Sequence, residues 1–307
     1  MGKVLFIACT PVARYMMLEI LNNPALSDVE ICGVVNLNAT QAAGKANFDP
    51  YYDLVATYNL PIHYCNNVND VETLAWMQEK RPDIIIQSGW SQKFGAELLA
   101  LPKYGCIGEH PAPLPRGRGA ACINWAILTG ETSWGDSFFE MCDQYDAGKL
   151  YAQDFFEIDM NDDVSTVYDK VALTSRSIIR KHIANWVNGK FDSLVQDENQ
   201  VTYYKRRRPA DGEFTFEMNG LPLYNFIRAQ AHPYPGAFFM HNGKKTTVWK
   251  VRYTGMQTDA TPGTFLNTTD TGGILVAAAD GMVLEFLRMQ TEGEPPMWGA
   301  DWYHTIK

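Results

Sequence analysis

Two residues able to move protons, His110 and Asp146, stand 36 positions apart near the middle of this 307-residue chain. Residues 105–131 read GCIGEHPAPLPRGRGAACINWAILTGE, and residues 138–148 read FFEMCDQYDAG. An imidazole titrates near neutral pH, and a carboxylate brought beside it completes an acid/base pair. Taken singly, the two are a surface His in a Pro-rich turn and an unrelated turn Asp. Glu109 next to His110 raises the question of a metal, but the spacing fits no zinc or di-iron pattern, so no metal is expected. Neither a G-x-S-x-G elbow, a Walker loop nor a Cys–His nucleophile signature occurs. The absence of G-x-G-x-x-G disfavours a dinucleotide cofactor.

Both residues fall where a strand gives way to a loop, which is where open α/β sheets place their ligands. Residues 3–9 form an apolar run of strand length, and Thr10-Pro11 then predicts a helix start with Thr as cap and Pro at the first position. Strands are predicted over 29–35, 61–65, 83–88, 135–142 and 150–158. A polar connection with one short helical piece fills 36–59, and a helix covers 68–80. Residues 164–188 form a long helix begun by Asp162-Asp163 and ended at Gly189, with an apolar stripe at 164, 167, 171, 178 and 186 that packs on the sheet. His182, among charged neighbours on that helix, reads as solvated. Strand alternating with helix predicts an α/β fold, a doubly wound, Rossmann-like parallel sheet. The basic run 205–208 before Pro209 marks a boundary, giving domains 1–203 and 204–307. Short apolar runs split by Asp-Gly, Gly-Gly and Asn-Gly turns beyond it fit a small C-terminal β-barrel.

The motif beginning at His110 resembles the H-x-x-L-L-P-x-x-R-G signature of the formyltransferases that use 10-formyltetrahydrofolate, here as His110 to Pro115 followed by Arg118-Gly119. That family keeps an Asp in a D-x-G turn at this distance, and Asp146 falls on it. Arg228-Ala229 and the stretch from Pro233 to Phe238 resemble the element that joins its catalytic domain to an OB-like barrel. The resemblance implies 10-formyltetrahydrofolate as co-substrate. Its pterin lies between a loop containing Ser88, Gly89 and Trp90 and one containing Met141, Cys142, Asp143 and Asp146. Formyl transfer to an amine builds negative charge on the carbonyl oxygen, so His110 is expected to donate to that oxygen and Asp146 to hold it charged or relay a proton. Arg118 is expected to fix the loop or contact the acceptor substrate. One departure matters: the family carries Asn where this chain has Gly108. A backbone N–H at 108–109, a water or Asn124 is a candidate replacement.

Composition narrows the acceptor. The net charge of −9 argues against broad nucleic-acid binding. Residues 1–203 hold 15 Lys and Arg against 25 Asp and Glu, a net of −10, and residues 204–307 hold 11 against 10. The tRNA-specific members of the family carry a basic insertion after the second strand, whereas residues 36–58 here contain only Lys45 as a basic residue. The expected acceptor is therefore a nucleotide-linked amino sugar. Methionyl-tRNA, or folate binding without catalysis, is the alternative. Six scattered cysteines with no C-x-x-C pair read as free thiols in a reducing cytoplasm. No signal peptide or membrane span is expected, and a homodimer is allowed.

Overall fold

The computed structural model describes residues 1–307, which divide into two compact units. The first comprises Met1–Cys122, Ser133–Glu157 and Tyr168–Lys205. It opens with β1 (Gly2–Ala8), α1 (Pro11–Asn22), β2 (Val29–Leu37), the short helices α2 (Ala39–Ala42) and α3 (Tyr52–Tyr58), and β3 (Ile62–Cys65). Then come α4 (Val71–Lys80), β4 (Ile84–Ser88), α5 (Ala96–Ala100), β5 (Cys106–His110), β6 (Arg118–Gly119), the start of α6 (Cys122–Leu128), β7 (Ser133–Glu140) and β8 (Leu150–Glu157). The long helix α7 (Val164–Trp186) and β9 (Tyr203–Tyr204) follow. Seven strands form one sheet in the order β3-β2-β1-β4-β5-β7-β8. The five from β3 to β5 run parallel, and β7 and β8 pair antiparallel at the end of the row. The near-continuous apolar sequence of β1 and β4 follows from burial on both faces, with Val4 to Ala8 and Ile84 to Ile86 fully out of water. The order reverses direction between β1 and β4, which puts the carboxyl ends of β4 and β5 in the position where such sheets bind ligands.

Helix α7 carries the predicted stripe: Val164, Val167, Val171, Ile178 and Trp186 are each at most 1% exposed. Its start is capped by Asp163, which accepts from the backbone of Ser165 and Thr166. His182 departs from expectation, because its ring stacks on Trp186 one turn away at 5.4 Å and is only partly exposed. Desolvation depresses its pKa. Thr10 precedes Pro11 in extended backbone as predicted, yet its side chain makes no cap bond; the Tyr51 hydroxyl binds its backbone instead.

The second unit comprises Ile123–Thr132, Ile158–Val167 and Arg206–Lys307; a single division at 203/204 leaves the first two segments out. Arg228 at the end of α8 (Gly220–Arg228) donates to the Asp159 and Asp162 carbonyls, which ties Ile158–Val167 to this unit. Strands β10 (Ala237–His241), β11 (Lys244–Gln257), β12 (Phe265–Thr268), β13 (Ile274–Ala277), β14 (Met282–Thr291) and β15 (Met297–Trp298) make an antiparallel sheet, followed by α9 (Gly299–Ile306). Its pairing order is β10-β11-β14-β13-β12, bent by register shifts in β11 around an aromatic core of Phe214, Phe239, Phe286 and Trp302. No helix is long and apolar enough to cross a membrane.

In the first unit, α1 is clamped to α7 by Glu19, whose carboxylate is 2% exposed and accepts from Arg176 at 2.6 Å and Arg180 at 2.7 Å. The Arg180 hydrogen bond, opposed by burial and aided by Arg176 and Asn23, holds the carboxyl down to about 2. A depressed carboxyl stabilises the fold above its unfolded pKa of 4.5 and loses that contribution as pH falls toward 2. Because both arginines are about half exposed, screening reduces the gain to about 1–2 kcal/mol. Glu19→Gln is expected to cost that much at pH 7 in urea unfolding, with the gap to the unmodified protein closing below pH 4. A gap independent of pH is the contrary result.

Candidate active site

Alternation along β5 puts Cys106, Gly108 and His110 on one face of the sheet and Ile107 and Glu109 on the other. Antiparallel register with β7 then sets Phe139 opposite Gly108, Phe138 opposite Glu109 and Ser137 opposite His110. His110 is 8% exposed, with Nε2 2.8 Å from the Gly117 carbonyl, to which it donates. The Pro-rich loop between them is held by three side chains. Trp134 Nε1 donates to the Pro111 carbonyl, Ser137 Oγ to that of Ala112, and Gln153 Nε2 to that of Leu114. Burial works against a charged imidazole, but the Cys122 sulfur, the Asp146 carboxylate and the Gly117 carbonyl outweigh it and raise the pKa to about 10. These neighbours favour the charged form of the imidazole.

Asp146 sits in the turn between β7 and β8 with φ 55°, a left-handed conformation that Asp tolerates better than most residues. Its Oδ2 accepts from the Gly119 N–H at 2.8 Å, so it meets His110 through charge rather than a direct bond. Its backbone carbonyl and that of Gly148 both accept from Gln196 Nε2. Gln196 Oε1 in turn accepts from Arg118. The Arg118 guanidinium is 1% exposed and also bonds Glu198 and Tyr203. Of its two expected roles, the structure supports loop fixing; nothing of it is left to face a substrate. Gly119 lies beside β9 with φ 104°, and a Cβ there would stand 2.4 Å from the Tyr204 carbonyl, so the motif needs glycine at this point. Sequence reasoning missed Gln196, Glu198, Thr202 and Tyr203, because nothing but long-range bonding marks them.

Gly108 has ordinary strand backbone, and its missing side chain leaves space that other groups fill. A Cβ built there meets the Phe139 ring at 2.6 Å and Met141 Cγ at 3.3 Å. Residues 108–109 lie within β5 rather than in a turn, and Gly108 is paired with Gln87 on one side and Phe139 on the other, so its backbone belongs to the sheet. Asn124, the side-chain candidate for the lost donor, is 2% exposed and its Nδ2 donates to the Ala229 carbonyl at 2.6 Å. Both candidates are thus engaged in structure of their own.

Of the residues expected to hold the pterin, Ser88 turns its hydroxyl the opposite way, to Glu109 Oε2 at 2.6 Å, leaving only backbone for a ligand. Gly89 takes φ 64° under Thr10. Trp90 is 9% exposed and packs in a core cluster that Met141 flanks. Its indole N–H is buried with no partner, an unused donor in an otherwise apolar wall, which suits a flat heterocycle. Cys142 and Asp143 are exposed on the facing loop, and the Lys93–Asp143 ion pair at 2.5 Å joins the two loops. No cluster of three or more His, Cys, Asp or Glu is arranged to hold a metal ion.

Residues 4–183 match the formyl transferase family, and residues 207–307 match the formyl transferase C-terminal domain. The chain is a member of the formyl transferase family. Methionyl-tRNA formyltransferase of Bacillus velezensis is 30% identical over 244 residues, covering 80% of this chain and 76% of that protein. The N-formyltransferase from Helicobacter canadensis, solved with folinic acid and dTDP-3-aminofucose, has the same fold at TM-score 0.70 and 17% identity, over 95% of this chain and all of the other. HypX from Aquifex aeolicus, in complex with tetrahydrofolic acid, matches 98% of this chain at TM-score 0.68 and 17% identity. This chain spans 46% of HypX. Formyl-tetrahydrofolate is the donor that this family uses.

Crowding defines what Gly108 does in this formyltransferase. Gly108→Asn is expected to lower stability by about 1–3 kcal/mol, since the side chain must displace Phe139. Single-turnover formylation by that variant is expected to be no faster than by the unmodified enzyme. Faster turnover with unchanged thermal stability is the result that contradicts this.

Proposed function

We propose that this formyltransferase moves the formyl group of 10-formyltetrahydrofolate to a primary amine of a nucleotide-linked amino sugar. The observation that carries the choice of acceptor is charge: the catalytic stretch 1–203 has 15 basic against 25 acidic residues. Residues 36–58, where a basic insertion would serve tRNA, hold Asp49 and Asp53 on Arg14 at 2.6 and 2.8 Å, two carboxylates against one guanidinium, so this trio stays acidic. A polyanion needs many phosphate contacts, whereas a diphosphate needs only a few local donors. The 30% identity to a methionyl-tRNA formyltransferase favours the second reading, tRNA as acceptor.

Bound co-substrate supplies an activated formyl carbon. His110, with Nε2–H on the Gly117 carbonyl and a second bond to Cys122, donates to the formyl oxygen by exchanging its Cys122 contact for that oxygen as it gains negative charge. The Asp146 carboxylate, oriented by the Gly119 N–H, stabilises the imidazolium and accepts a proton from the attacking amine through water. The new C–N bond forms first and the C=O electron pair moves to the oxygen; as that pair returns the old C–N bond breaks, and the proton taken from the amine by Asp146 passes through water to the departing nitrogen. Gln196 and Arg118 keep Asp146 in register.

His110→Asn and Asp146→Asn are each expected to lower kcat at least about a hundredfold with little change in folate affinity, because both groups act on the transition state. Near-normal kcat in either one refutes its catalytic role. With nucleotide-linked amino sugars as acceptors, turnover is expected to change less than about threefold between 50 and 200 mM salt, and methionyl-tRNA is expected to give no product. Efficient formylation of methionyl-tRNA at physiological salt, or a steep loss of binding with salt, selects the second reading.

A further inference from the structure

On the face of the sheet opposite His110 lies a pair of acids that the chemistry above does not use. Glu109 is 6% exposed and Asp136 fully buried. Ser88 Oγ donates to Glu109 Oε2 at 2.6 Å, and Ser175 Oγ, from α7, donates to Asp136 Oδ2. The other two oxygens, Glu109 Oε1 and Asp136 Oδ1, are buried and receive no N–H or O–H from elsewhere in the chain. Glu109 pairs with Phe138, and Asp136 lies two residues along β7 on the same face, which sets the two carboxyl groups side by side across the strands. Two carboxylates are both acceptors, so a hydrogen bond between them requires a proton on one. Burial raises both pKa values, and the charge of Glu109 raises that of Asp136 further. Loss of both protons would put two uncompensated charges in a dry interior, and such pairs ionise in two separated steps.

We propose that Glu109 and Asp136 share one proton and act as a single buried anion, a positioning element that keeps His110 in its charged, donating form. The inference rests on His110 being the donor to the formyl oxygen. His110 is faced by Cys122 from α6, by Asp146 from the β7–β8 turn and by the Gly117 carbonyl from the Pro-rich loop, and its charge is felt through the strand by Glu109 and Asp136 behind it. Asp146 is partly exposed at the mouth, where an entering substrate changes its solvation, while the buried pair keeps a constant charge. His110 and Glu109 are consecutive residues on opposite faces of one strand, so this charge reaches the imidazole without occupying the reaction space.

The pair can be tested by counting its charge. Glu109→Gln and Asp136→Asn each replace one acid by an amide that donates the same hydrogen bond, leaving one carboxylate and the same net charge. The double variant has none. Nitrogen NMR of the His110 ring is expected to give titration midpoints within about 0.3 pH unit of the unmodified enzyme for either single variant. In the double variant the midpoint is expected to fall by at least about one unit, and the high-pH limb of kcat/KM to move with it. Infrared spectra at pH 7 are expected to contain a protonated-carboxyl stretch in the unmodified enzyme that either single variant lacks. A folded double variant that titrates as the unmodified enzyme does, single variants that shift as far as the double, or no protonated-carboxyl band at pH 7 overturns the proposal. Should the double variant fail to fold, the single variants and the band decide. The ring titration and the infrared band need no turnover, so loss of the catalytic assignment of His110 and loss of the shared proton are separately visible.

Discussion

Where β7 runs antiparallel beside β5, in a sheet that is parallel up to that seam, neighbours are fixed residue against residue. The seam sets His110 against Ser137, Gly108 under Phe139, and Glu109 on the same side as Asp136. Each of these contacts depends on register. A slip of one residue would send the imidazole to the helix-covered face and bring the acids to the mouth. The Ser137 hydroxyl secures the register: it donates to the Ala112 carbonyl and accepts from Leu114 N–H and Gln153. The loop that shapes the site is thus bonded to the strand that aligns it.

Around this seam the chain handles charge with little water. One side carries an imidazole beside a carboxylate and a carbonyl, the other a pair of acids that each take one serine hydroxyl. Buried charge is tolerable only when its remaining bonds are made, and that explains the density of polar partners here. A second tier, the Arg118–Gln196–Asp146 chain, does the same for the turn that carries the carboxylate.

The sequence is most legible where chemistry and local pattern coincide. Apolar runs mark the strands to within two or three residues, since burial on both faces leaves few alternatives for β1 and β4. The Pro- and Gly-rich loop and its distant Asp are readable because their residue types are unusual for any regular element. By contrast, Gln196, Thr202 and Tyr203 lie in a polar stretch that reads as a linker, and only contacts 48 to 85 positions away make them part of the site. Arg118 looks like a ligand for anions until its burial is known. His182 was misread for a different reason: its charged neighbours suggested solvent, although Trp186 four residues on was available to cover it. Glu109 carries no signal, since alternation hides it behind the residue that matters.

The ring of Phe139 over Gly108 bears on the history of the site. Where one residue has no side chain and its cross-strand partner fills the vacancy, the two positions are no longer independent. Asparagine at 108 needs a smaller or differently turned side chain at 139, so either single change meets a cost that the second removes. Shrinking 139 first opens a cavity, and enlarging 108 first forces an overlap. Both intermediates are less stable than either end. Positions 108 and 139 therefore change as a pair: a side chain at 108 fits only where the one at 139 is smaller or turned away.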